Sequence, residues 1–132
     1  MEIQKIIRNF YKQTNKNKMA QMKEINGYTD YFVDTDGIVY TSKVSLRNNI
    51  KGKLKPLTLS VKQTGYKYAN IYYGSSKAER SSLRVHRLVY QTFVGAIPEG
   101  WVIDHINGDK GDNRLANLQC ITQSQNVLKQ IK

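Results

Sequence analysis

Residues 101–126 read WVIDHINGDKGDNRLANLQCITQSQN, and this stretch decides the fold of the region around it. An apolar run ends at the adjacent pair Asp104–His105, a loop rich in Gly and Asp follows, and a second apolar run leads to a helical pattern at Asn126. The order is strand, loop, strand, helix. Packed together, these elements place the end of the first strand beside the first turn of the helix. Four side chains of the stretch, those of Asp104, His105, Asn117 and Asn126, form a set that could hold a metal and a base together.

The first strand carries two of these polar groups. Residues 101–106 have the strand pattern, and in an ideal strand Asp104 and His105 point to opposite faces. They would then serve different purposes unless the strand bends at its end. Asn113 is predicted to cap a short helical turn over residues 114–117.

The second strand and the last helix complete the unit. Residues 118–122 alternate in polarity as a strand does, and Thr122 or Ser124 is predicted to cap a helix that runs to Ile131. Residues 83–85 are predicted to form a short strand, and a second helix starts at His86. With hairpin signals further upstream, the fold class is α+β.

Composition bounds the class of protein. The chain has 132 residues, enough to bury a core without disulfides. Cys120 is the only cysteine, so we expect neither a disulfide framework nor a structural zinc, and a reducing intracellular setting is favoured. We expect no membrane span and no signal peptide.

The charge is strongly positive and unevenly placed. The formal net charge is +11, and residues 37–78 contain eight Lys or Arg and no Asp or Glu. A basic field of this kind attracts a polyanion, and nucleic acid is the favoured partner. The alternative, a merely solubilising surface, usually mixes both signs.

We expect three regions along the chain. Residues 1–23 form an amphipathic helix over 2–12 and a polar linker over 13–23, and are dispensable if Met19 or Met22 is the true start. Residues 24–82 form a basic, β-rich, DNA-contacting module. Residues 83–132 form the domain that carries the site.

The β-rich module shows hairpin and strand signals. Asp36-Gly37 forms the tip of a hairpin between residues 31–33 and 38–40, residues 48–55 read as a basic loop, and residues 57–61 and 66–73 are predicted strands. Tyrosines beside lysines in the last of these could stack on bases, but packing of a small sheet explains them at least as well.

Beyond these patterns, residues 85–126 resemble the HNH nuclease family, most of all its phage homing-endonuclease branch. The matching text runs from VHRLVYQTFVGAIPEGWVIDHINGD through NRLANL to TQSQN, with its elements in order and at family spacing. Upstream, YFVDTDGIVYTSK resembles the small β module that often precedes this domain in phage enzymes. The resemblance implies an antiparallel β module followed by a ββα-metal motif that cleaves DNA with one divalent cation.

The resemblance also implies a role for each polar residue. His105 would be the general base that activates a water, which suits an imidazole. Asn117 would accept a hydrogen bond from the ring N–H of His105 and fix its tautomer. Asp104 and Asn126 would bind the metal, and such oxygen ligands suit Mg²⁺ or Mn²⁺ rather than zinc.

Other polar residues have two readings. Asp109 and Asp112 are expected to be ordinary loop residues. Arg114 is explained equally by contact with phosphate or by solvation. Arg84 and Arg87 have the same two explanations, with contact to DNA slightly favoured because they flank the site in sequence. The full set of predicted DNA-binding residues is Lys43, Arg47, Lys51, Lys53, Lys55, Lys67, Arg84, Arg87 and Arg114.

The expected function is a metal-dependent endonuclease that nicks or cuts double-stranded DNA, as a monomer or homodimer, leaving 5′-phosphate and 3′-hydroxyl ends. Its expected location is the cytoplasm of a bacterial host. The resemblance to phage enzymes implies that a phage encodes it. One rival is a binding module that keeps the fold without turnover. Another is an RNA-binding protein that uses the Tyr-rich sheet.

Overall fold

The computed structural model describes residues 20–43, 53–72 and 80–130. The first sheet is antiparallel and has four strands in chain order. These are β1 (Met22–Glu24), β2 (Tyr31–Asp34), β3 (Val39–Thr41) and β4 (Lys55–Pro56). The predicted helix over residues 2–12 lies outside the described residues, as do residues 48–52 of the predicted basic loop.

The second sheet is antiparallel, with three strands in the order β5, β6, β7. They are β5 (Ser60–Val61), β6 (Lys67–Tyr72) and β7 (Arg80–Arg84). Helix α1 (Val85–Phe93) continues directly from β7. The strand predicted over residues 57–61 is therefore limited to its last two residues.

Residues 101–126 have the predicted order of elements. Strand β8 (Trp101–His105) pairs antiparallel with β9 (Leu118–Thr122), and helix α2 (Gln123–Gln130) follows. A 3₁₀ turn (Leu115–Asn117) precedes β9. The register places His105 opposite Leu118. The α+β class is confirmed, and no helix among the described residues has the length and apolar character to cross a membrane.

The predicted hairpin joins β2 to β3, and a buried carboxylate organises its turn. Asp34 accepts hydrogen bonds from the backbone N–H of Asp36 and Ile38 and from the hydroxyl of Tyr40, each at 2.9 Å. Gly37 has a φ of +83°, which favours glycine. Burial raises the pKa of Asp34, although its hydrogen bonds act in the opposite direction.

One hydrophobic cluster holds the upstream sheets and the site together. It includes Val33 of the first sheet, Ile71 of the second, Val89 of α1 and Ile103 of β8, all buried. The strand that carries the site is thus packed against the same core as the basic module. This fixes where β8 lies relative to the rest of the molecule.

Two predicted irregular segments are partly strands. Met22 and Lys23 fall in the predicted linker, but Met22 begins β1 and packs against the buried cluster of Phe32, Tyr40 and Leu54. Residues 80–82, predicted as loop, extend β7 because they pair with β6. Short polar strands such as these lack an apolar period, so pairing with a neighbour determines them.

Candidate active site

A cleft of about 630 Å³ opens where β8 ends. It is lined by β8 and the loop after it, by the start of α1, and by α2, and it brings together five of the predicted site residues, which are Arg84, Arg87, Asp104, His105 and Asn126. Its Lys and Arg side chains outnumber its acidic ones by four to one. These charged residues are Arg84, Arg87, Lys110, Lys129 and Asp104.

The ring of His105 is fixed by one hydrogen bond. His105 is 4% exposed, and its Nε2 lies 2.8 Å from Oδ1 of Asn113, which is equally buried. A carboxamide oxygen can only accept, so Nε2 carries the proton and donates it. In the neutral ring the lone pair is then on Nδ1. Asn113 therefore selects the tautomer of His105.

Asn117 does not hold the ring, contrary to the role implied by the resemblance. Its Oδ1 accepts from the backbone N–H of Asn107 (3.1 Å), and its Nδ2 donates to Oδ1 of Asn107 (3.0 Å) and the backbone oxygen of Asp112 (2.9 Å). Its own backbone oxygen accepts from the N–H of Ile106 (2.8 Å). Asn117 thus ties down both ends of the loop that follows His105.

The prediction that Asn113 caps the helical turn is wrong. The cap of the 3₁₀ turn is Arg114, with extended backbone and no capping hydrogen bond from a side chain. The side-chain oxygen of Asn113 faces His105 instead. A buried imidazole N–H needs an acceptor more than an exposed turn does, because an unpaired buried donor is costly.

Asp104 lies among cationic and amide donors. Its Oδ2 accepts from Nζ of Lys129 (2.5 Å) and Nε2 of Gln119 (2.8 Å). The same Lys129 ammonium donates to the backbone oxygens of His105 (2.9 Å) and Ile106 (3.2 Å). Three oxygens therefore converge on one cation. This donor set fits a hard cation, which prefers carboxylate and carbonyl oxygen.

The start of α2 brings Asn126 to this position. Thr122 Oγ1 accepts from the backbone N–H of Gln125 (3.2 Å), and Gln125 Oε1 accepts from the N–H of Thr122 (3.0 Å). This reciprocal pair is a capping box. It confirms Thr122 as the cap and places Asn126 in the first turn, where it lines the cleft with Asp104.

A second histidine forms a wall of the cleft. The His86 ring centroid lies 4.9 Å from that of His105 and 5.3 Å from that of Tyr66. Burial lowers the pKa of His86 to about 3, and its electrostatic interactions with His105, Arg84 and Arg87 act in the same direction. His86 is therefore neutral near pH 7. It packs against the catalytic candidate without adding charge.

The predicted DNA-binding residues fall into different environments. Arg84 and Arg87 line the cleft, and the Arg84 guanidinium lies 4.9 Å from the Tyr66 ring centroid. Lys67 reaches the site loop beside Gly111. Lys53 and Lys55 are exposed.

Others already have partners inside the molecule. The Lys43 ammonium donates to the backbone oxygen of Tyr72. Arg114 pairs with Asp112 at 2.7 Å, and this contact lowers the pKa of the Asp112 carboxyl. Arg47 and Lys51 lie outside the described residues. Asp112 also accepts from Asn107, which agrees with its expected role as a loop residue.

The roles of three residues at the site were not predicted from the sequence. Lys129 had a usable signal, because it follows Asn126 by three positions and so shares its helix face. Asn113 had none, since only the closed loop brings it to His105. Lys110 reaches the cleft from the loop, 4.8 Å from the Tyr66 ring centroid.

The described residues contain no group of three or more His, Cys, Asp or Glu side chains that could hold a metal ion. A metal in this cleft would therefore depend on carboxamide and carbonyl oxygen in addition to Asp104. Such a site is expected to bind a cation weakly until other oxygen ligands join it.

Comparison with known proteins places this geometry in context. Residues 83–128 match a family model described as HNH endonuclease. The chain is 31% identical over 112 residues to DNA endonuclease I-HmuI of Bacillus phage SP01, covering 84% of the chain and 58% of that protein. It is 33% identical over 122 residues to the uncharacterized HNH endonuclease L247 of Acanthamoeba polyphaga mimivirus, covering 89% of the chain and 27% of that protein.

A solved structure has the same fold. It belongs to the study of DNA binding and cleavage by the HNH homing endonuclease I-HmuI, with a TM-score of 0.68 and 31% identity. The match covers 84% of this chain and 57% of that one. The chain therefore spans less than two thirds of the length of these relatives.

Proposed function

The chain belongs to the HNH endonuclease family, and from this premise we propose that it is a metal-dependent endonuclease that cuts double-stranded DNA. The proposal rests on the surroundings of His105. Its ring is buried and held in one tautomer by Asn113, at a cleft whose charged side chains are cationic except for Asp104. A polyanionic substrate and a fixed base are what phosphodiester hydrolysis requires.

His105 acts as the general base. With its Nε2–H donated to Asn113, the Nδ1 lone pair accepts a proton from a water molecule. The water oxygen forms a new bond to phosphorus, and the bond from phosphorus to the 3′ oxygen breaks. The departing 3′ oxygen takes a proton from solvent, so the products are a 5′-phosphate and a 3′-hydroxyl.

Asp104 and Asn126 would hold a divalent cation, Mg²⁺ or Mn²⁺. The fit rests on the donor set, because the Asp104 carboxylate and two backbone carbonyls already surround the Lys129 ammonium. When bound, the ion supplies positive charge that offsets the negative charge developing on the phosphate oxygens. Asn117 contributes by fixing the loop that carries these carbonyls.

The cationic rim binds the DNA backbone. Arg84, Arg87 and Lys110 line the cleft and would contact phosphates on the way to His105. One site in each chain cuts one strand, so a double-strand break requires a homodimer or two successive cuts. Since I-HmuI is a protein of a Bacillus phage, the proposal includes action in the cytoplasm of a bacterial host.

A plasmid assay tests the function. Supercoiled plasmid is incubated with the protein and Mg²⁺ or Mn²⁺, with and without a chelator, and relaxed and linear forms are separated on a gel. We expect nicking that requires the metal and stops with the chelator. Tight, salt-sensitive binding without cleavage of any DNA would contradict the proposal and favour a non-catalytic binding module.

A further inference from the structure

The ammonium of Lys129 contacts Asp104, the carboxylate that is proposed to bind the metal. Its ammonium is 2.5 Å from Oδ2 of Asp104 and also donates to the backbone oxygens of His105 and Ile106. The Asp104 side chain is only 13% exposed and that of Lys129 is 37% exposed. The carboxylate is therefore held at the base of the cleft, and the lysine reaches it from the more open side.

An ammonium and a divalent cation cannot both hold this carboxylate oxygen at contact distance. The two positive charges repel each other, and the repulsion is strong where water is partly excluded. A lysine side chain is flexible and its charge is compact, so it can leave the position while the helix stays in place. A divalent ion that binds Asp104 must therefore displace the Lys129 ammonium or bind more weakly because of electrostatic repulsion from it.

We infer that Lys129 is a built-in counter-ion that occupies the cation position of the metal-free cleft and is displaced when the divalent cation binds. The inference rests on the proposed function, because it takes Asp104 as a metal ligand. Lys129 lines the same cleft as Asn126, so after displacement its ammonium can pair with a DNA phosphate. Metal binding and DNA binding then favour each other, since DNA offers the lysine another anionic partner.

The test measures metal binding without DNA. Mn²⁺ is titrated into the purified full chain, and the free aqueous ion is counted by electron paramagnetic resonance. Lys129→Met removes the charge and keeps an apolar stem. We expect it to bind Mn²⁺ about three- to tenfold more tightly than the unsubstituted chain, because the competing ion pair is gone.

Lys23→Met is the matched control. It removes the same charge from β1, where the Lys23 ammonium lies 5.6 Å from the Phe93 ring centroid and is not among the cleft residues. We expect its Mn²⁺ affinity to equal that of the unsubstituted chain. Asp104→Asn added to Lys129→Met should abolish the gain, which would locate the gain at this carboxylate.

The inference is overturned if Lys129→Met binds Mn²⁺ equally well or more weakly, or if neither protein binds the ion. Thermal unfolding by circular dichroism checks each variant, and Lys129→Gln replaces Lys129→Met if the latter does not fold. The readout does not depend on cleavage. Tighter Mn²⁺ binding with no nicking would reject the nuclease function alone, and nicking with unchanged Mn²⁺ affinity would reject the role of Lys129 alone.

Discussion

The ring of His105 has one nitrogen committed to Asn113, and this determines which nitrogen can take a proton from water. A histidine free to rotate or change tautomer would present the correct lone pair only part of the time. The burial of both residues holds the pair in one geometry. In the proposed mechanism Asn113 is therefore a positioning residue, which would act on the substrate only through His105.

We predict that Asn113→Ala lowers the single-turnover nicking rate by about 10- to 100-fold, the range seen when an orienting partner is removed. Asn113→Asp keeps an acceptor oxygen and should retain more activity than Asn113→Ala. The rates are measured with saturating metal and protein, alongside the melting temperature of each variant. A rate for Asn113→Ala equal to that of the unsubstituted chain would show that the hydrogen bond has no role in catalysis.

At the scale of elements, the hairpin of β2 and β3 supports the loop of the active site. The backbone N–H of Leu115 donates to the backbone oxygen of Thr35 (2.8 Å). A Cβ atom at Gly37 would lie 2.7 Å from the backbone oxygen of Asn113, closer than atoms tolerate. The turn of the hairpin therefore fits against the residue that orients His105, and the upstream sheet supports the site through these contacts.

We predict that Gly37→Ala destabilises the fold by about 2–4 kcal/mol, because it adds overpacking to backbone strain, and that it also slows nicking. Gly27→Ala is the control: Gly27 has a similar φ of +86° but nothing within 4 Å of its Cβ position. It should cost only about 1–2 kcal/mol and leave the rate per folded molecule unchanged. Urea unfolding and single-turnover rates measure both effects, and equal losses in the two variants would contradict the contact.

The elements that could be predicted from sequence are those with a strong local signal. The strand-loop-strand-helix order, the Asp-Gly hairpin and the Thr122 cap all follow from periodicity, turn residues and capping chemistry. Strand β1 and the first part of β7 could not be predicted, because pairing with distant strands creates them. The same limit applies to Asn113. Its contact with His105 forms only when the loop between them folds back, and no local residue pattern predicts that. Lys129 could have been found from helical spacing, but its contact with Asp104 needed the packing of α2 against β8.

For the molecule as a whole, a single cluster of buried side chains joins the basic sheets to the strand of the active site. His86 lies at this junction, 4% exposed and against the ring of His105. The three-region division of the chain, with a boundary at residues 82 and 83, stays a prediction. Because that boundary falls inside β7, which continues directly into α1, we expect the described parts of the two regions to unfold together.

We predict that the stability of the molecule falls as pH decreases below about 6.5. The pKa of His86 is lowered from 6.5 to about 3 on folding, so between these values only the unfolded chain takes up the proton. The stability that the neutral His86 contributes is fully present above its unfolded pKa of 6.5 and is lost as the pH falls toward its folded pKa of about 3. The contribution of this group is a loss of about 2 kcal/mol between pH 7 and pH 5.

Urea unfolding at pH 7, 6 and 5 measures this effect, with His86→Gln as the variant that cannot take up the proton. The variant should be less stable at pH 7 but show a weaker dependence on pH. His105 is present in both proteins, so the difference in slope belongs to His86. Parallel pH dependences would contradict the burial of a neutral His86.

The single-turnover nicking rate of His105→Ala, with Mn²⁺ and with or without added imidazole, tests the central claim most directly. We predict a loss of about 10²- to 10⁴-fold, the usual contribution of a general base, with partial recovery when free imidazole enters the space left by the ring. His105→Ala that nicks at the rate of the unsubstituted chain would contradict the assignment of His105 as the base.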